Sequence, residues 1–275
     1  MTVLDDIIVG VREDMAARQA IIPLDTMKAR ALAAAPALDA HAALLGAAES
    51  TVEIISEVKR SSPSKGALSD IPDPAELAAA YQAGGAAAIS VLTEERRFKG
   101  TLADLDAVRA AVTIPVLRKD FTVDEYQIYE ARAHGADLIL LIVAALDDDT
   151  LRRFLDLTHE LGMNALVETH TPEEIERAVA VGARIVGVNV RNLKTLEVDN
   201  ANFSKLAPLL PQDAIIVAES GVASPQDVAD YAAHGAKAVL VGEALVKSGT
   251  PTETLRDFRA AGSQARKTWL GSAPA

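Results

Sequence analysis

The stretch Ile54-Ile-Ser-Glu57-Val-Lys59-Arg-Ser-Ser-Pro-Ser-Lys-Gly66 begins as an apolar strand and then carries a carboxylate and an ammonium two residues apart. Side chains alternate across a strand, so Glu57 and Lys59 share one face. Desolvating both charges costs more than their attraction readily returns, so a buried ion pair is a weak source of stability. A pair at a strand end therefore points to chemistry, with a plain salt bridge as the alternative. The signature recurs in Val116-Leu-Arg-Lys119-Asp120, Ala165-Leu-Val-Glu168 and Ile215-Ile-Val-Ala-Glu219, and in Ile185-Val-Gly-Val-Asn189-Val-Arg191, where alternation puts Asn189 and Arg191 on one face. Five apolar strands that all end in polar or ionisable residues imply a shared mouth at their C-termini.

The chain also repeats. Alanine-rich segments end at Gly85, Gly135, Gly182 and Gly235, each followed within two residues by an apolar run, and the glycines lie 50, 47 and 53 residues apart. Glycine accepts the left-handed conformation that closes a helix, so each segment reads as helix, stop, strand. The spacing matches two βα units, a quarter of an eight-unit barrel. Strands are expected near 53–59, 86–92, 115–119, 137–143, 164–168, 184–190, 214–219 and 237–242. Asp73-Pro74, Thr171-Pro172 and Ser224-Pro225 mark helix starts by a capping side chain before proline. The pattern specifies a (β/α)8 TIM barrel with a helical N-terminal extension. A doubly wound open sheet is the competing architecture, but no Gly-x-Gly-x-x-Gly turn follows the first strand. The expected organisation is a single barrel domain over 1–275. Residues 1–45 form the extension across one end of the barrel, as one or two short helices around Pro36, and 262–275 form a loose tail.

Composition agrees. A chain of 275 residues with 49% hydrophobic and 4% aromatic content suits aliphatic parallel strands under helices, and such a barrel needs about 250 residues. There is no cysteine, which excludes disulfides and thiolate metal sites. A net charge of −12 argues against nucleic acid, and no run approaches the roughly 20 apolar residues of a membrane span. The N-terminus, with Asp5, Asp6, Glu13 and Asp14, lacks the basic flank of a signal peptide, so the expected setting is the cytoplasm.

In barrels of this kind the loops after strands seven and eight often hold a phosphate. Here they read Glu219-Ser220-Gly221 and Val241-Gly242-Glu243-Ala244. Small residues let backbone N–H groups reach phosphate oxygens, and Ser220 adds a hydroxyl. Simple turn glycines are the alternative.

Taken in order, Glu57-Val-Lys59-Arg-Ser-Ser62-Pro-Ser-Lys65-Gly66, Val91-Leu-Thr-Glu94 with Phe98, Leu117-Arg-Lys119-Asp-Phe121, Leu166-Val-Glu168, Gly187-Val-Asn189-Val-Arg191-Asn192-Leu193, Ala218-Glu219-Ser-Gly221 and Val241-Gly242-Glu resemble the indole-3-glycerol phosphate synthases. The resemblance spans nearly the whole chain. It implies a cofactor-free, metal-free carboxy-lyase of tryptophan biosynthesis. Its substrate would be the phosphorylated, anthranilate-derived 1-(2-carboxyphenylamino)-1-deoxyribulose 5-phosphate, and other enzymes of that pathway would be its candidate partners. In that reaction the anilino ring attacks a ketone, carbon dioxide leaves, and water is then lost. By the resemblance, Lys119 is the acid that protonates the developing alkoxide. Either Lys59 protonates the leaving hydroxyl while Glu57 removes the ring proton, or Glu168 takes part directly in dehydration. Asn189 and Glu219 would hold sugar hydroxyls and catalytic side chains, and Arg191 would pair with the substrate carboxylate. Phe98 and Phe121 would line the aromatic pocket, with core packing as the alternative, and Ser62 and Lys65 would assist the phosphate or close the site, with a solvated loop as the alternative. Ser220, Gly221 and Gly242 would bind phosphate. Glu243 stands where many members of the family have serine, so only its backbone N–H is expected to help.

His134 and His234 lie beside helix-ending glycines and read as caps, while His170 follows a strand end with no evident partner. Asp147-Asp-Asp149 precedes a helix and suits its positive end, not a metal. A phosphoribosyl anthranilate isomerase is the nearest alternative enzyme, but that rearrangement usually employs a cysteine. A noncatalytic phosphometabolite-binding barrel would not need Lys59, Lys119 and Glu168 together.

Overall fold

A computed structural model describes residues 2–63, 66–67, 71–192 and 195–272. Eight parallel strands close into a barrel: β1 Glu53–Val58, β2 Ala88–Leu92, β3 Val116–Lys119, β4 Leu138–Ile142, β5 Asn164–Thr169, β6 Ile185–Asn189, β7 Ile215–Glu219 and β8 Ala238–Val241. Each pairs with its sequence neighbours, and β8 returns to β1 with Glu53 opposite Ala238. Helices cover the outside, beginning with α4 Pro74–Gly84, α5 Leu102–Ala111, α6 Glu125–Ala133, α7 Asp148–Glu160 and α8 Pro172–Ala180. Short α9 Phe203–Leu206 is followed by α10 Pro225–Ala232, α11 Glu243–Lys247 and the long α12 Pro251–Ser272. Asp73, Thr171 and Ser224 cap their helices through their side chains, as the sequence predicts. Gly85, Gly135, Gly182 and Gly235 all have positive φ, so the repeating stop signal is a backbone requirement.

Alternation sorts the strand residues into two cores. Ile55, Ala88, Leu117, Leu138, Leu140, Leu166, Ile185, Val217 and Leu240 fill the barrel interior. Their neighbours, such as Ile54, Ile89, Ile139, Val167 and Val239, pack outward under the helices.

The extension has three helices: α1 Val3–Ile21, α2 Leu24–Ala33 and α3 Ala40–Leu45. Helix α3 closes the N-terminal end of the barrel, where Ala40 and Leu44 join the interior core. Its first N–H groups, from Ala40 and His41, donate to Asn164 Oδ1 at 3.1 and 3.2 Å, which uses donors that a helix leaves unpaired. Helix α1 instead reaches the opposite end. In its last turn, Arg18 makes a two-point contact with buried Glu130 of α6 at 2.8 and 3.1 Å, a geometry suited to its planar fork.

The loose tail expected from Gly262 is corrected: the chain stays helical through Ser272. Gly262 serves close packing rather than termination, since a Cβ there would stand 2.8 Å from Val228 and 3.1 Å from Val52. Ser263 accepts the Val52 N–H, and Arg266 donates to the carbonyls of Glu49, Gly235 and Ala236. Residues 273–275 lie outside the described residues. Among the described residues no helix is long and apolar enough to cross a membrane.

Candidate active site

The inward face of the last strand turn carries Glu57, Lys119, Glu168, Asn189 and Glu219, and the barrel's register brings their strands together in one layer. Leu92 pairs with Lys119, Ile142 with Glu168, and Asn189 with Glu219. Lys119 Nζ donates to Glu168 Oε2 at 2.9 Å and lies 3.1 Å from Glu219 Oε2. Both carboxylates are buried and the lysine is nearly so. Burial alone would favour the neutral amine, but Glu168, Glu219 and Glu57 outweigh it and raise the Lys119 pKa, so the ammonium persists at neutral pH. The two carboxylates diverge. Burial would raise Glu168, yet the Lys119 charge and then His170 hold it well below the ordinary carboxylate range. Burial raises Glu219 against the pull of the Lys119 charge, and the adjacent Glu168 charge adds to the rise, so Glu219 holds a proton more readily than Glu168.

Glu57 and Lys59 form the ion pair that alternation predicts, with Ser90 Oγ 3.5 Å from Glu57 Oε1. Gly242 faces this pair. A Cβ on Gly242 would stand 2.8 Å from Glu57 Oε2, so the absent side chain makes room for the carboxylate as well as for any ligand. Gly187 plays the same part for Glu219, whose Oε1 would lie 2.0 Å from a Cβ there.

The cavity above these charges has an aromatic wall of Phe98 and Phe121, ring centroids 6.0 Å apart. Val3, Leu4 and Ile7 of α1 line the same cavity. The extension therefore builds part of the mouth, a role the sequence reading missed although these residues recur with helical spacing. Glu94, which the sequence offers only as part of a motif, has a structural role here. Its carboxylate accepts the N–H groups of Arg96, Arg97 and Phe98 at 3.1, 2.7 and 2.9 Å and folds the loop that carries Phe98. Arg96 of this loop pairs with Glu13 and Asp14 of α1.

At the other side of the mouth, Ser220 and Gly221 both adopt positive φ, 71° and 75°. That conformation is costly for serine, and it is held by Tyr231 Oη donating to the Ser220 carbonyl and Asn200 Nδ2 to the Gly221 carbonyl. Ser220 Oγ donates to Asn189 Oδ1 at 2.9 Å, and the same oxygen accepts the Arg191 N–H at 3.0 Å. Asn189 thereby ties the β6 end to the loop after β7. Arg191 Nη1 donates to the Leu196 carbonyl at 3.0 Å, and the residue lines the cavity. Ser62, Gly221, Gly242 and Glu243 line it too. The Glu243 carboxylate accepts from Lys247 at 2.7 Å, which offsets its charge. Lys65 lies outside the described residues.

His170 has partners that its sequence context did not reveal. Nδ1 is 3.1 Å from Glu174 Oε2 and Nε2 is 3.4 Å from Glu168 Oε1. Burial would lower its pKa, but the two carboxylates raise it to about 9. His134 and His234 sit at helix ends, as expected, and Asp147 caps α7. Among the described residues no group of three or more acidic or histidine side chains is arranged to hold a metal ion.

A mouth with one buried ammonium, two buried carboxyls of divergent acidity, a second ion pair, an aromatic wall and a glycine-lined end can bind an anionic aromatic ligand and move protons within it. The family model for indole-3-glycerol phosphate synthase matches residues 4–258. An indole-3-glycerol phosphate synthase of Paenarthrobacter aurescens is 64% identical over 267 residues, covering 96% of this chain and 98% of that one. One from Mycolicibacterium smegmatis is 62% identical over 262 residues, 95% of each. Among solved structures, 3-hexulose-6-phosphate synthase from Salmonella typhimurium superimposes with a TM-score of 0.63 at 17% identity, covering 79% of this chain and 100% of that one, and shares the fold alone. On the family match and the identity over almost its full length, this chain belongs to the indole-3-glycerol phosphate synthase family.

Proposed function

We propose that this barrel converts 1-(2-carboxyphenylamino)-1-deoxyribulose 5-phosphate to indole-3-glycerol phosphate, as a carboxy-lyase of tryptophan biosynthesis. The observation that carries the site assignment is the Lys119 ammonium, held between Glu168 and Glu219 beneath the Phe98–Phe121 wall.

The anilino ring seats against Phe98 and Phe121, its carboxylate meets Arg191, and the phosphate reaches backbone N–H groups at Ser220, Gly221, Gly242 and Glu243, with Ser62 beside it. Ring closure forms a bond from the carboxyl-bearing ring carbon to the ketone carbon. The ketone oxygen takes a proton from Lys119. A developing alkoxide is strongly basic, so even an ammonium whose pKa is raised gives up its proton to it. The bond to the carboxylate then breaks, carbon dioxide leaves, and its electron pair restores the aromatic ring. In dehydration Lys59, oriented by Glu57, protonates the departing hydroxyl, and Glu168 removes the proton from the five-membered ring. Glu168 suits the base because it is the more firmly ionised member of the buried pair, whereas Glu57 is engaged by Lys59. Glu219 and Asn189 hold sugar hydroxyls, and Glu219 keeps Lys119 in place.

The chain acts as one unit in this scheme, since α1 supplies part of the substrate wall. A cytoplasmic setting and association with other tryptophan-pathway enzymes follow from the chemistry as further parts of the proposal. The test is direct: purified protein with the carboxyphenylamino substrate and no added cofactor should generate indole fluorescence and release carbon dioxide. Folded protein that yields no indole would reject the function.

A further inference from the structure

His170 has no part in the steps above, yet it is placed as though for one. Its side chain is only 9% exposed. Glu174 Oε2 accepts the His170 backbone N–H at 2.8 Å and lies 3.1 Å from its Nδ1, so the ring is anchored from the first turn of α8. Thr171 in turn caps that helix and accepts the Glu174 N–H. Nε2 points to Glu168 Oε1, the oxygen opposite the one that takes the Lys119 hydrogen bond. At 3.4 Å the contact is an ion pair without an aligned hydrogen bond, and among the described residues Nε2 makes no hydrogen bond.

Leaving a buried polar atom unsatisfied costs on the order of 1–3 kcal/mol, which structure alone does not require here. An imidazole whose two nitrogens each face a carboxylate carries a proton on each, and the ring is then an imidazolium. The charged groups facing it are Glu168 from β5 and Glu174 from α8, and Lys119 and Glu219 act on it only through Glu168. Remove this cation and Glu168 keeps one positive neighbour, Lys119, which it shares with Glu219. The two buried carboxyls would then compete for a proton.

We propose that His170 is a positioning residue for Glu168: seated on Glu174, its imidazolium turns one carboxylate oxygen away from Lys119 and keeps Glu168 ionised and free to accept a proton. The inference rests on the reading of Glu168 as the base of dehydration.

The test compares His170→Gln, Glu174→Gln and Glu168→Gln in the full chain, by the pH dependence of kcat for indole formation, by KM and by thermal unfolding. His170→Gln should move the acid limb of kcat upward by about one pH unit, a loss of about tenfold on that limb, with KM within about threefold of the parent. Glu174→Gln should move it the same way by less. An acid limb unmoved in both variants overturns the inference. If His170→Gln does not fold, Glu174→Gln decides by the same readout. Parent-like kcat in Glu168→Gln would defeat the reading of Glu168 itself, whereas an inactive Glu168→Gln with an unshifted His170→Gln defeats only the role of His170.

Discussion

Gly187→Ala tests whether the Lys119 pocket is as tightly set as its distances indicate. Gly187 sits in β6 beside Glu168 of β5, and it is not among the glycines with positive φ, so alanine suits its backbone. The added Cβ, however, would stand 2.0 Å from Glu219 Oε1 and 3.4 Å from Leu166 Cδ1. Ordinary contact needs about 3.5 Å, so the Glu219 carboxylate must withdraw by roughly 1.5 Å. Glu219 is 2% exposed, and the space open to it is the substrate cavity that it lines. Its 3.1 Å contact with Lys119 is therefore lost or stretched. Overpacking of this kind costs about 1–3 kcal/mol, and a displacement of about 1 Å at reacting groups can cost about a hundredfold in rate. Single-turnover indole fluorescence should thus fall by one to two powers of ten, roughly, while thermal unfolding shows a modest loss of stability. In a Glu219→Ala background the stability loss should largely vanish, because the clash has no partner. A Gly187→Ala enzyme with parent-like rate and melting temperature would refute the argument.

Gly221→Val should weaken substrate binding more than the chemical step: its positive φ strains a branched side chain, and a Cβ would stand 2.0 Å from Asn200 Oδ1 and 2.7 Å from Tyr231 Oη. Equal losses in affinity and single-turnover rate would contradict a phosphate role for that loop. Stability should also report His170, whose pKa rises on folding from 6.5 to about 9. Its contribution is fully present below about pH 6.5 and is lost as pH rises through about 9, with a slope of at most about 1.4 kcal/mol per pH unit. Denaturant unfolding of the parent should weaken across that window more than that of His170→Gln, and parallel curves would oppose a charged ring.

The barrel was legible because its signals are local and repeated. Gly85, Gly135, Gly182 and Gly235 each need a left-handed backbone, and the strands between them end in residues that a core cannot absorb. Lys119, Glu168 and Glu219 could be placed at one mouth because each ends an apolar strand and the strand C-termini of such a barrel converge. What escaped was set by contacts across long separations. Gly262 read as a stop because no local feature shows that Val52 and Val228 press on it. Val3, Leu4 and Ile7 carry no local sign of a site, since only the closed fold takes α1 to the far end of the barrel from α3. His170 seemed alone, although Glu174 stands at i+4; the capping of α8 at Thr171 is what brings that carboxylate back onto the ring. The spacing itself was a usable signal.

Lys119→Arg bears most directly on the central claim, since it keeps the positive charge between Glu168 and Glu219 while its longer, planar guanidinium moves the donated proton away from the place the ammonium holds. With substrate bound, single-turnover ring closure should fall by at least about a hundredfold, the lower end of acid and base contributions, while affinity for the anionic substrate is largely kept. Ring closure at near the parent rate would contradict Lys119 as the proton donor, leave it an electrostatic anchor, and move the acid to Lys59.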